Sequence, residues 1–110
     1  MNPDRLAQLL KFLEEDPNDP FTLYAIATEY RTSDKAKAMD YYEQLLAGHE
    51  DYVGTYYHAA KLYEELGQND AAERIYKKGM QVSRQQGSLH AYSELQQAYN
   101  KMMGLDYEDD

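Results

Sequence analysis

Apolar residues return along this chain at steps of three and four: Leu23, Ile26, Ala27 and Tyr30, then Tyr56, Ala59, Ala60 and Tyr63, with Tyr92, Leu95 and Tyr99 following the same rhythm. That period belongs to one face of a helix, since a half-buried strand alternates every second residue. The punctuation between the runs agrees. Asn2 before Pro3 and Asp19 before Pro20 each offer a side-chain cap followed by proline in the first turn, and Ser33, Asn69 and Ser88 are cap candidates for later helices. Gly48, Gly67, Gly87 and Gly104 stand where helices should stop, because glycine accepts the left-handed position after a helix end. These signals predict six helices at roughly 3–15, 20–31, 34–47, 51–66, 70–86 and 89–103.

The pattern is also self-similar. "LYAIATEY" (Leu23 to Tyr30) lies over "YYHAAKLY" (Tyr56 to Tyr63) at an offset of 33. "AMDYYEQLL" (Ala38 to Leu46) lies over "AERIYKKGM" (Ala72 to Met80) at an offset of 34, which pairs Ala38 with Ala72 and Tyr42 with Tyr76. The first copy is therefore one residue short in its inner turn. A partial third copy, "YSELQQAY" (Tyr92 to Tyr99), follows at an offset of 36, its two extra residues at Gly87 and Ser88. A fixed period of this length marks a repeat architecture in which each unit is one helical hairpin.

With these positions in register the chain resembles the tetratricopeptide repeat family. The second unit carries the resemblance through Tyr56, Ala59, Ala60, Tyr63, Leu66-Gly67, Ala72, Tyr76 and Gly79, and the first through Leu23, Ile26, Ala27, Tyr30, Ala38, Tyr42 and Leu45. "LEEDPNDP" (Leu13 to Pro20) resembles the family's linker between repeats, with Pro17 at the closing position. Two departures stand out: the first unit's turn lacks Leu-Gly, and no proline closes the second unit near Val82 to Gly87, so its last helix is expected to run long. The resemblance implies an all-α fold, a short right-handed α-solenoid of about six antiparallel helices, with two full units plus flanking half-repeat or capping helices. It spans about residues 5–103, nearly the whole chain.

The resemblance further implies a concave peptide-binding groove lined by the first helix of each pair. Taking residues one step off the buried set selects Phe21, Tyr24, Thr28 and Arg31, then Tyr57, Lys61 and Glu64, then His90, Ser93, Gln97 and Asn100. The carboxylate clamp by which some such domains hold a chaperone tail is not carried here. Its positions are occupied by Tyr24, Thr28, His58, His90 and Glu94, none of them the clamp's residue and the last of opposite charge. The small residues Ala27, Ala38, Ala60 and Ala72 are expected where helices approach closely, with tyrosine hydroxyls beside them reaching the wet rim.

Composition narrows the functional classes. At 110 residues the chain is long enough for one domain with its own core and has no room for a separate cofactor domain. Eleven basic against twenty acidic residues give a net charge of −9, which repels phosphate backbones and anionic lipid, so neither nucleic acid nor membrane is expected as a partner. Cysteine is absent, which removes disulfides and thiolate metal sites and favours a cytoplasmic location. The opening segment has only a short, interrupted apolar run and an acid at Asp4, unlike a secretory signal.

Chemistry is not indicated. Tyr56, Tyr57 and His58 look like a reactive cluster, but consecutive helix residues point about 100° apart and do not converge on one atom. The three histidines, His49, His58 and His90, lack the spacing of a metal site, and no glycine-rich phosphate loop or nucleophile elbow is present. The expectation is a non-enzymatic binding scaffold without cofactor or metal, for an unknown protein or peptide, monomeric or weakly homo-oligomeric. Residues 1–105 form the repeat domain, and Asp106 to Asp110 ("DYEDD") an acidic disordered tail. Met102, Met103 and Leu105, at the end of the last helix, either close the core or form a sticky end.

Overall fold

The computed structural model describes residues 2–105, and the acidic tail expected at Asp106 to Asp110 lies outside them. Among the described residues there are six helices and no strand: α1 (Pro3–Glu15), α2 (Pro20–Tyr30), α3 (Lys35–Gly48), α4 (Gly54–Glu65), α5 (Asn69–Gln86) and α6 (Leu89–Met102). The expected all-α helical-repeat architecture is the observed one. The chain divides into two compact units, the first ending at Thr55 and the second beginning at Tyr56.

In the first unit the two predicted Asx-Pro starts are used. The Asn2 side chain accepts the Arg5 amide at 3.1 Å. The Asp19 carboxylate accepts both the amide (2.9 Å) and the hydroxyl (2.6 Å) of Thr22. Each cap satisfies a backbone donor that the first helical turn leaves unpaired. Leu6 and Leu9 of α1 pack with Ala25 and Ile26 of α2, and Leu10, Leu13, Tyr30 and Tyr41 close over them. An exposed Arg5–Glu29 pair at 3.0 Å fastens the rim and contributes little by itself. Tyr30 and Tyr41 stack with their ring centroids 6.0 Å apart, and burial pushes the Tyr41 phenol above its ordinary pKa.

Three expected boundaries in this unit shift. The cap of α3 is Asp34, which accepts the Lys37 amide at 3.1 Å, and not Ser33. The chain takes one further turn bond, Asp34 N–H to Tyr30 carbonyl at 2.7 Å, and that carries Asp34 to the helix entrance. Gly48 is the last residue of α3 and does not take the left-handed conformation; His49, at φ −140°, ends the helix by donating to the Leu45 carbonyl. The next helix starts at Gly54 instead of 51, because residues 49–55 first make a turn bonded from Tyr52 to His49 and from Thr55 to Tyr52.

The second unit pairs α5 with α6. Its helix α5 runs 18 residues against 14 for α3, the expected long last helix of that repeat. Gly87 (φ 73°) stops it, and Gly67 and Gly104 also lie in the left-handed region. Asn69 is not a cap but the first helical residue, after Gln68, and Ser88 holds the cap position of α6 without a side-chain bond. Within α5 the buried Ser83 hydroxyl donates to the Gly79 carbonyl at 2.8 Å. Gly79 lies so close to α4 and α6 that a Cβ there would fall 2.5 Å from Tyr56 Cβ and 3.1 Å from Leu95 Cδ1.

Ala27, Ala38, Ala60 and Ala72 are all fully buried, as their small size implies. The tyrosine hydroxyls do not all reach water. Tyr76 is fully buried and its hydroxyl donates to the Glu64 carboxylate. Tyr42 is equally buried, and its hydroxyl meets no hydrogen-bond partner among the described residues.

Candidate functional site

The residues selected for binding fall into two sets, one on each unit. On α2, Phe21, Tyr24, Thr28 and Arg31 follow the helical spacing that puts them along one side. Phe21 is 62% exposed, the ring most available to a ligand in this unit. Tyr24 is half-buried, with its ring 5.8 Å from Tyr52 and 6.4 Å edge-on from Tyr42. It is thus held in a fixed orientation, which lowers the entropy lost when something packs on it. Thr28 donates its hydroxyl to the Tyr24 carbonyl at 2.9 Å, so that oxygen is left to a ligand as an acceptor only. Arg31 is the half-buried C-cap residue of α2.

On the second unit, Tyr57 and Lys61 lie half-buried on α4, one turn apart. The Tyr57 ring meets the His58 ring edge to face with centroids 5.4 Å apart, so these two neighbours do touch although Tyr56 is turned into the core. Glu64 is not simply a groove acid, because its carboxylate is the acceptor for Tyr76. On α6, Ser93 and Gln97 are exposed and Asn100 is half-buried. His90 is exposed and stands 3.8 Å from Glu94, which gives the acid at the rejected clamp position a local partner. Among the described residues no group of three or more metal-ligating side chains comes together, and no helix is long and apolar enough to cross a membrane.

A further surface was missed from the sequence. Along the α5–α6 pair a groove of about 440 Å³ is lined by Lys77, Met80, Gln81, Arg84, Gln85 and Tyr92. Arg84 donates to the Tyr92 hydroxyl and lies 4.8 Å from the centre of that ring. Lys77 is held by Glu73 at 3.0 Å and sits 5.9 Å over the Tyr99 ring. That carboxylate, with the Tyr99 phenol behind it, raises the Lys77 pKa above its ordinary value. The signal was present as the spacing of Lys77, Gln81 and Arg84 along one side of a single helix, outside the first-helix positions that the repeat register selects.

No curated protein matches the chain. Residues 33–99 match the tetratricopeptide repeat family. The crystal structure of a tetratricopeptide repeat domain protein from Salinibacter ruber is 44% identical, covering 80% of this chain and 99% of that one with a TM-score of 0.75. A solution NMR structure of a tetratricopeptide repeat domain protein from Salinibacter ruber is 43% identical over 86% of this chain and 97% of that one, TM-score 0.77. MamA shares the fold at 24% identity, with 94% of this chain and 55% of that chain covered and a TM-score of 0.72. The family match covers more than half of the chain and agrees with the helical pairs, the buried alanines and the glycine stops: this chain belongs to the tetratricopeptide repeat family.

Proposed function

We propose that the protein is a non-catalytic, cytoplasmic adaptor that binds a peptide segment of a partner protein. Membership of a family of protein-interaction repeats supports the class. The observation that carries the choice of residues is the pair of preset, half-buried aromatic rings: Tyr24 braced by Tyr42 and Tyr52, and Tyr57 braced by His58. Rigid rings of this kind supply contact area at low entropic cost and serve as anchors. Phe21, Thr28, Arg31, Lys61, Glu64, His90, Ser93, Gln97 and Asn100 then supply the surrounding polar and apolar contacts, Lys61 and Arg31 orienting acidic or carbonyl groups. Selection from a displayed peptide library followed by titration calorimetry tests this. Tyr24→Ala for a peptide held by the first unit, or Tyr57→Ala for one held by the second, should weaken a selected peptide by more than about 1 kcal/mol. Unchanged affinity in both variants moves the ligand to another surface.

Exposed apolar side chains favour a second reading, weak self-association. Leu89 is 75% exposed, and Met103 and Leu105 are exposed at the end of α6 while Met102 beside them is half-buried. Sedimentation over a range of concentrations distinguishes the two, since a monomer throughout removes self-association.

A further inference from the structure

The α5–α6 groove differs from the rest of the chain in charge. Residues 69–102 carry five basic side chains (Arg74, Lys77, Lys78, Arg84 and Lys101) against three acidic ones (Asp70, Glu73 and Glu94), a balance of +2 inside a chain of −9. None of the six groove-lining residues is acidic. Lys77 already has a carboxylate in Glu73. Among the described residues Arg84 has none: its partner is the Tyr92 hydroxyl, and the ring beside it holds the guanidinium in place. Arginine presents a planar fork that takes a carboxylate through two parallel bonds, and a fork already oriented loses less freedom when it does so.

The rest of the groove suits a polypeptide. Met80 and Tyr92 are half-buried and form an apolar floor, while Gln81 and Gln85 expose amides one turn apart that can pair with peptide N–H and C=O groups. A nucleic acid would need a row of unpaired cations along its phosphates, and here one guanidinium stands beside amides and a lysine already paired. The net negative charge of the whole chain is screened beyond roughly 10 Å at ordinary salt, so the local balance governs a ligand in contact.

We infer that the α5–α6 groove is a second binding site, for an acidic peptide segment whose carboxylate pairs with Arg84 and whose neighbouring apolar side chain packs on Met80 and Tyr92. The site lies on residues separate from Tyr24 and Tyr57, and the two readings fail independently. The test uses the full chain and fluorescence anisotropy with a labelled peptide built of Glu, Asp and Leu, beside a control in which Gln and Asn replace the acids.

Binding of the acidic probe alone is expected, weakening as salt is raised. Arg84→Glu should reduce its affinity by about tenfold or more, Arg84→Lys by less because the fork is lost while the charge remains, and Tyr57→Ala should leave it unchanged. Arg84 is exposed, so the variants should fold; matching circular dichroism and melting curves confirm it. Equal affinity for the neutral probe, an Arg84→Glu variant that binds like the parent, or no binding of the acidic probe overturns the inference. So does a concentration-dependent dimer that Arg84→Glu dissolves, which would assign the groove to a second copy of this chain.

Discussion

Where the first repeat carries Leu23 the second carries Tyr56, and where the first carries Leu45 the second carries Gly79. Both leucines are buried, so in the first repeat bulk is shared evenly between two helices. In the second it is concentrated on α4, and α5 has given up its side chain entirely. A Cβ on Gly79 would come 2.5 Å from Tyr56 Cβ, an atom fixed to the backbone that cannot swing away. Similar total volume is reached by opposite means, as close packing demands.

The same two repeats differ in how they treat polar atoms. Tyr42 and Tyr76 correspond at an offset of 34, yet among the described residues Tyr76 finds an acceptor, in Glu64, and Tyr42 does not. The residue corresponding to Glu64 is Arg31, whose guanidinium has donors only and cannot accept from a phenol. At the helix starts the advantage is reversed. Thr22 donates to Asp19 at 2.6 Å, whereas the corresponding Thr55 follows Tyr52 in place of the aspartate, and its buried hydroxyl has no partner among the described residues.

Exchanging residues between the repeats should break this comparison most sharply at Gly79. Gly79→Leu, the first repeat's residue, should destabilise by about 3 kcal/mol or more in thermal or denaturant melts, and Gly79→Ala by less, since alanine regains about 1 kcal/mol of helix propensity. Adding Tyr56→Leu to Gly79→Leu should recover little of the loss, because leucine keeps the Cβ that sits 2.5 Å away, and full recovery in the double variant would refute the backbone-fixed clash. Next in size, Tyr76→Phe should cost about 2 kcal/mol because it removes a bond to a charged acceptor, while Tyr42→Phe should be neutral or stabilising by up to about 1 kcal/mol. Equal losses at the two tyrosines would mean that their hydroxyls are equivalently bonded. Thr55→Val should likewise be neutral or slightly stabilising.

The smallest effect concerns acid. Hydrogen bonds from the Thr22 hydroxyl and amide, aided by the nearby His49, hold the Asp19 carboxyl below its ordinary value near 3.8. The folded chain then binds fewer protons than the unfolded one in that interval. The stabilisation is complete above pH 3.8 and is lost as the pH falls through the folded value. Thr22→Val should raise the Asp19 midpoint in an NMR titration and shift this loss to higher pH.

The helices and their stops were legible because Leu23, Ile26, Ala27 and Tyr30 and their counterparts obey one period, and because proline and left-handed glycine act locally. Gly48 misled, since a helix can also end through an ordinary residue such as His49 when a turn follows. The fate of each tyrosine hydroxyl was not legible. It depends on which side chain arrives from another helix, Glu64 in one repeat and not in the other. Of the candidate site, the side presented by Tyr24 and Tyr57 could be chosen from the register, but the bracing depends on ring orientations, Tyr52 arriving from a loop and His58 turning edge-on to its neighbour. The groove at Arg84 lies off the register positions altogether.

Gly79 has a further consequence for how the chain reaches its final structure. Chains built of similar hairpins risk joining the wrong halves while they fold, and inter-repeat misassembly is a recurrent failure of such proteins. Here α3 cannot stand in for α5 against Tyr56, since Leu45 would press where only a hydrogen fits. The steric mismatch between otherwise similar copies works as a key, and it disfavours that wrong pairing against the native one.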